Sequence, residues 1–179
     1  APAVDDISAA GSAERAAAIR SAIATVDAGL ARAFDSDVEA DIDRLLQARV
    51  GAMDAQVRAA WKACLPDDAP LALFAIGGYG RAELSPQPDI DLLVLAEPEA
   101  QAAHAEALAR FVALLWDAGL PVGHAVRSPA QCTEAASDIS VLTSMLEARP
   151  LVAEVGHLHA LQAAISPSLV WPAGEFFAA

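Results

Sequence analysis

Cations are scarce in this chain: 11 Lys and Arg stand against 24 Asp and Glu, a formal charge of −13 over 179 residues. Affinity for a nucleic-acid backbone comes largely from cations that displace condensed counterions, so a nucleic-acid partner is not expected. The acidity itself reads as solubility. Cysteine is nearly missing too: Cys64 and Cys132 are far apart, with no C-x-x-C to signal zinc or redox chemistry. Both read as free thiols of a reducing cytoplasm. Long apolar runs are also missing. The 55% hydrophobic content is rich in alanine, and the longest strongly apolar stretches, Pro70 to Ile76 and Ile90 to Ala96, fall far short of the roughly 20 residues of a membrane helix. The start, APAVDD, has no basic n-region, no apolar h-region and no initiator Met. It reads as a cut or processed end. No repeat, low-complexity tail or extended linker interrupts the chain, and the apolar, aromatic ending WPAGEFFAA suggests that the natural polypeptide continues.

What is present is long enough to bury a core, about two-thirds of the unfolded surface. The first third reads as helix, from Ser12 to Phe34. The S-x-x-E of Ser36-Asp37-Val38-Glu39 then has the form of a capping box that opens a second helix. Apolar residues at Val38, Ile42, Leu45, Leu46, Val50, Met53, Val57 and Trp61 keep helical spacing to about Leu65, which makes Met53 and Trp61 core residues. Pro66-Asp67-Asp68-Ala69-Pro70 ends that helix, because proline removes a donor and restricts the residue before it. Residues 1–66 are therefore read as an N-terminal helical segment and 67–179 as a second domain.

In that domain the period changes. Leu71 to Ile76 and Ile90 to Leu95 read as core strands. A helix follows from Pro98 to Ala118, with Leu108, Val112, Leu115 and Trp116 on one face and Gly119 as its stop. Leu120 to Arg127 reads as a third strand, Ser128-Pro129 as the opening of a short helix, Asp138 to Arg149 as a further helix ended by Pro150, and Leu151 to Ile165 as helix. The expected fold class is α/β (α+β): a small mixed sheet flanked by helices, with helices before it.

The chemistry is concentrated in AIGGYGRAELSPQPDIDLLVLAEP, residues 75–98. Asp89 and Asp91 are i and i+2 on a strand, so both carboxylates share one face and repel each other. A divalent cation relieves that repulsion, and Mg²⁺ (or Mn²⁺) suits one or two carboxylates completed by water and substrate phosphates. Gly77 and Gly78 at the end of the preceding strand, followed by a turn at Gly80 and Arg81, offer backbone that a polyphosphate can approach because no Cβ intervenes. A solvated pair of aspartates at a strand entrance is the plainer reading of a bare D-x-D. The glycine turn beside it favours the metal–phosphate reading.

GGYGRAELSPQPDIDLLVL resembles the signature of the nucleotidyltransferase domain of the bifunctional PII uridylyltransferase/uridylyl-removing enzymes, within the DNA polymerase β-like nucleotidyltransferase superfamily. LLWDAGLPVGHAVRSPAQC, DISVLTSMLEARPLV and WPAGEFFAA resemble, in order, downstream segments of that bacterial family. The likeness is strong over residues 71–179 and loose over the N-terminal helices. It implies transfer of UMP from UTP to a tyrosine of the PII signal-transduction protein in the cytoplasm, as part of nitrogen regulation. Gly77 and Gly78 would then cradle the triphosphate, Asp89 and Asp91 would bind Mg²⁺, and Arg81 would pair with a phosphate or with Glu83.

Three departures stand out. Ala82 replaces the family's usual Gly, Pro88 replaces its Ser, and the strand LPVGHAVR lacks the third carboxylate common in the superfamily. His124 is that strand's titratable candidate and reads as a hydrogen-bonded core residue. Asp138 or Glu147 could serve instead, or a second metal could be weakly held. His104 reads as surface. His157 and His159, two apart on a helix, cannot share a face. No His is followed by Asp, so the metal domain that such enzymes use for uridylyl removal is not expected here, nor are the regulatory domains for glutamine sensing. Two other readings stay open: an adenylyl- or other nucleotidyl-transferase of the same fold, and a nucleotide-binding module without turnover.

Overall fold

A computed structural model describes residues 4–36, 42–82, 90–166 and 170, with backbone alone for 4–10, 34–36, 42 and 43. The proposed capping box at Ser36 to Glu39 and the aspartate at position 89 fall, in whole or in part, outside these residues. The chain divides into two compact units, one of Ala1–Asp67, Ala82–Pro88 and Glu106–Val122, the other of Asp68–Arg81, Asp89–Ala105 and Gly123–Ala179.

In the first unit, helix α1 (Val4–Ser36) is followed by α2 (Ile42–Cys64). Val50, Met53, Val57 and Trp61 of α2 are buried, as their spacing predicts. Arg49 grips Asp27 with both arms of its guanidinium, at 2.8 and 3.3 Å, and so fixes α2 on α1. Helix α5 (Ala105–Asp117) belongs to this unit from Glu106 onward and buries Ala107, Leu108, Phe111, Leu114 and Leu115. Phe111 meets Trp61 edge to face at 5.2 Å. Its stop follows the Schellman pattern: Gly119, at φ +81°, donates to the Trp116 carbonyl, and Leu120 donates to that of Leu115.

Two expectations for this stretch are corrected. The single helix from Pro98 to Ala118 is two helices, α4 (Pro98–Ala103) and α5, because His104 leaves helical geometry (φ −111°, ψ 11°) where the chain passes from one unit to the other. Trp116 is 57% exposed and not on the buried face; its indole N–H reaches the Val122 carbonyl at 3.1 Å, which satisfies it at the surface.

The second unit is built on a mixed four-stranded sheet in the order β3-β2-β1-β4, with β1 (Ala72–Ala75), β2 (Ile90–Leu95), β3 (Val122–Arg127) and β4 (Arg149–Val152). With α3 (Gly77–Gly80), α6 (Pro129–Ala135), α7 (Ile139–Leu146) and α8 (Val155–Ala164), the described residues form an α/β fold of four strands and eight helices. β1 pairs antiparallel with β2, Phe74 opposite Leu93, and with β4, Phe74 opposite Pro150. One side of the sheet, carrying Ala72, Phe74, Ile76, Leu93 and Leu95, packs on Cys132 of α6 and Ala136 at its C-terminal cap, Leu142 and Met145 of α7, and Leu161 of α8. Burial there pushes the Cys132 thiol up to about 11, so it stays protonated and inert. Both cysteines are free, as expected.

β4 corrects the reading of 138–165 as two helices joined at Pro150. Helix α7 stops at Leu146, and Arg-Pro-Leu-Val is an edge strand, where a proline without N–H is tolerated. Four residues are too few to display alternation. Ser128 caps α6 as predicted, its hydroxyl accepting from the Gln131 N–H while the Gln131 side chain accepts from the Ser128 N–H at 2.7 Å.

Candidate functional site

The sheet places Asp91 at the entrance of β2. Its backbone carbonyl accepts from the Ile76 N–H at 3.0 Å, so the strand is held to the β1 end where the glycine turn begins. Strand alternation puts Asp91 on the side of Leu93 and Leu95, at the margin of the apolar core. Its carboxylate lies between two glycines. A Cβ on Gly123 would stand 2.5 Å from Asp91 Oδ1, and a Cβ on Gly77 would stand 3.3 Å from Oδ2 and 3.0 Å from the hydroxyl of Ser144. Gly77 also has φ +57°, a conformation L side chains rarely adopt. Gly123, His124, Asp91, Ser140, Val141 and Ser144 border a cavity of about 280 Å³, open to solvent.

The turn Gly77-Gly78-Tyr79-Gly80 is a single turn of helix, α3, rather than an open loop. It is clamped from the far side by the chain that leaves α7. Arg81 pairs with Glu147, the Arg149 guanidinium lies 5.4 Å over the Tyr79 ring, and Arg149 Nη2 donates to the Tyr79 carbonyl at 3.2 Å. Gly78 is half-buried, whereas Tyr79 and Gly80 are buried. Ala82, where the resembling family has Gly, is held at φ +62°. That region costs an L-residue about 1–2 kcal/mol. Ala82→Gly is therefore expected to stabilise the chain by about 0.5–1 kcal/mol after the greater unfolded-state entropy of Gly is subtracted, read as a small rise in thermal midpoint.

The structure brings together Asp91, Gly77 and Gly123, and leaves the other carboxylate candidates elsewhere. Asp138 caps α7: its carboxylate accepts from the Ser140 hydroxyl at 2.6 Å and N–H at 2.8 Å, bonds that hold it below the usual aspartate range. Glu147 is engaged by Arg81. Neither borders the cavity. His124 is corrected from core to exposed, and it borders the cavity between Gly123, which approaches Asp91, and Ala125, which packs on the core cluster. The position on this strand that faces Asp91 is Gly123, which sequence reasoning passed over. His157 accepts from the Glu154 N–H at 3.2 Å as part of the α8 cap.

Among the described residues no group of three His, Cys, Asp or Glu side chains could hold a metal ion. A hard divalent cation needs less from the protein. One or two carboxylates suffice when water and phosphate complete its shell, and the oxygens of Asp91, flanked by glycine where any side chain would crowd them, fit that requirement. Gly123→Ala is expected to push the Asp91 carboxylate aside at little cost in stability, because the crowded atom ends a flexible side chain. Any metal-dependent turnover should then fall by about 10²-fold, measurable as initial rate beside an unchanged unfolding curve.

Comparison with known proteins bears on which chemistry this is. A relative from Xanthomonas campestris pv. campestris is 53% identical over 170 residues, 95% of this chain and 19% of its own length, and is named bifunctional uridylyltransferase/uridylyl-removing enzyme. Relatives of the same name from Xanthomonas oryzae pv. oryzae and Stutzerimonas stutzeri are 48% identical over 174 residues and 43% identical over 141, covering 97% and 78% of this chain and 20% and 16% of theirs. The chain is a homologue of a segment of that enzyme family. It spans about a fifth of the length of these uridylyltransferase/uridylyl-removing relatives. A match over 95% of the chain takes in the N-terminal helices as well, beyond the region where the sequence likeness was expected to be strong. No family model matches the chain. No helix among the described residues is long and apolar enough to cross a membrane.

Proposed function

We propose that this chain supplies the nucleotidyl-transfer part of a uridylyltransferase/uridylyl-removing enzyme, moving UMP from UTP to a tyrosine hydroxyl of a PII signal-transduction protein. The observation that carries the reading is the Asp91 carboxylate set between Gly77 and Gly123 at the edge of an open cavity. The names of the relatives support it. Asp91, with Asp89 two residues before it, would hold Mg²⁺ or Mn²⁺; when bound, the ion neutralises charge on the triphosphate and lowers the pKa of the attacking hydroxyl. Gly77 and Gly78 let the triphosphate come close to the backbone. Arg81 lies one residue past that turn, 44% exposed in its pair with Glu147, and could exchange a carboxylate partner for a phosphate at modest cost. The tyrosyl oxygen attacks the α-phosphorus, the bond from that phosphorus to the bridging α–β oxygen breaks, pyrophosphate leaves and the hydroxyl proton passes to solvent.

The same cavity would serve an adenylyl- or other nucleotidyl-transferase, because triphosphate and metal contacts do not read the base. A nucleotide-binding module without turnover is favoured by one feature: β3 presents glycine, not a carboxylate, to Asp91. The test is the intact mass of a PII protein incubated with this chain, Mg²⁺ and equal UTP and ATP. Added uridylyl is the expected result. Added adenylyl would replace the donor, and no addition beside Mg²⁺-dependent UTP binding would favour the binding module.

A further inference from the structure

Helix α7 turns one polar stripe toward the cavity. Ser140 and Ser144, four apart, share a face, while Leu142 and Met145 bury the other. The Ser140 hydroxyl is committed to Asp138 at 2.6 Å, and Thr143 donates to the carbonyl one turn back at 2.7 Å, the usual resting place for a helical hydroxyl. Ser144 does neither. Among the described residues its half-buried hydroxyl has no hydrogen-bond partner, and it lies 3.0 Å from the point a Gly77 Cβ would occupy, a point 3.3 Å from Asp91 Oδ2. Ser144 and Asp91 both border the cavity, so a group bound there is within reach of this hydroxyl and of the carboxylate.

We propose that Ser144 is a substrate-binding residue whose hydroxyl donates to a phosphate oxygen of a nucleotide bound in this cavity. The assignment rests on the nucleotidyl-transfer reading above. A phosphate beside Asp91 would meet like charge unless Asp91 held a cation, and its other oxygens need donors that bring no further negative charge. Of the other polar residues that line this cavity, Ser140 spends its hydroxyl on Asp138 and His124 lies next to Gly123 on β3. Ser144 is the hydroxyl placed beside Gly77 and left to donate.

The experiment is calorimetric titration of UTP into this chain at saturating Mg²⁺, and of Mg²⁺ at saturating UTP, for wild type and Ser144→Ala, with thermal unfolding to confirm the fold. The expected result is about tenfold weaker UTP binding in the variant, the size of one hydrogen bond to a charged acceptor, with an unchanged Mg²⁺ midpoint. Equal UTP affinity in the two proteins would overturn the role of Ser144 and leave the nucleotidyl-transfer reading in place. A shift confined to the Mg²⁺ midpoint would make the hydroxyl a metal ligand and overturn its assignment to phosphate. Failure of the wild type to bind UTP would overturn the reading and this inference together.

Discussion

Asp91→Asn is expected to abolish Mg²⁺-dependent nucleotidyl transfer, by about 10³-fold or more, and to leave the thermal unfolding midpoint unchanged or slightly raised. The amide is nearly isosteric, so the space between Gly77 and Gly123 stays filled and the strand keeps its place. What disappears is the negative charge. An Asn oxygen is a poor ligand for Mg²⁺ beside a carboxylate, and the loss of one preorganised electrostatic contact at the reacting phosphate accounts for roughly 10²–10³ in rate. Stability should not fall with it, because the sequence sets Asp89 and Asp91 on one strand face, and removing one of two like charges relieves repulsion. Initial rates by intact mass and a melting curve on the same preparation check both halves. Unchanged turnover would remove Asp91 from the metal site; a collapsed melting curve would mean that its charge supports the fold instead.

Much of this was legible in the sequence because the decisive signals are local. The apolar runs at 71–76 and 90–95 become β1 and β2, and Gly119 and Ser128 end and start helices where their chemistry requires. Asp91, read as a strand residue, stands on β2 at the margin of the core, while Asp89 lies outside the described residues. What escaped was nonlocal. β4 exists because the second edge of β1 needs a partner, and nothing within Arg-Pro-Leu-Val announces a strand. His124 looked like a core residue; on the folded strand it is exposed and borders the cavity between Gly123 and Ala125. Gly123 itself carries no chemistry to notice; its meaning is the approach of Asp91 from another strand. Arg81 raised the question of phosphate or Glu83; Glu83 lies outside the described residues, and among these Arg81 pairs with Glu147, in the chain between α7 and β4.

That chain also makes Gly80 the most demanding position in the turn. From sequence, Gly80 reads as part of a turn that leaves backbone open to phosphate, yet it is buried in a helical turn with no unusual φ, and its constraint is space. A Cβ there would lie 2.2 Å from the Glu147 carbonyl oxygen, at the C-terminal cap of α7, and 3.0 Å from that of Ala75 in β1, both backbone atoms. Neither can rotate away, so relief requires α3 to move off the sheet, against the Arg149 contacts to Tyr79 and the Arg81–Glu147 pair. Gly80→Ala is therefore expected to destabilise the chain by about 3 kcal/mol, at the upper end for overpacking by a single methyl, and to lower the thermal midpoint by roughly 10 °C. The displacement also moves Gly77, which opens the same turn, so UTP binding should weaken in whatever fraction remains folded. Denaturant unfolding followed by UTP titration below the new midpoint measures the two effects separately. A variant with wild-type stability would mean that Glu147 and α3 are not packed as closely as the backbone here requires.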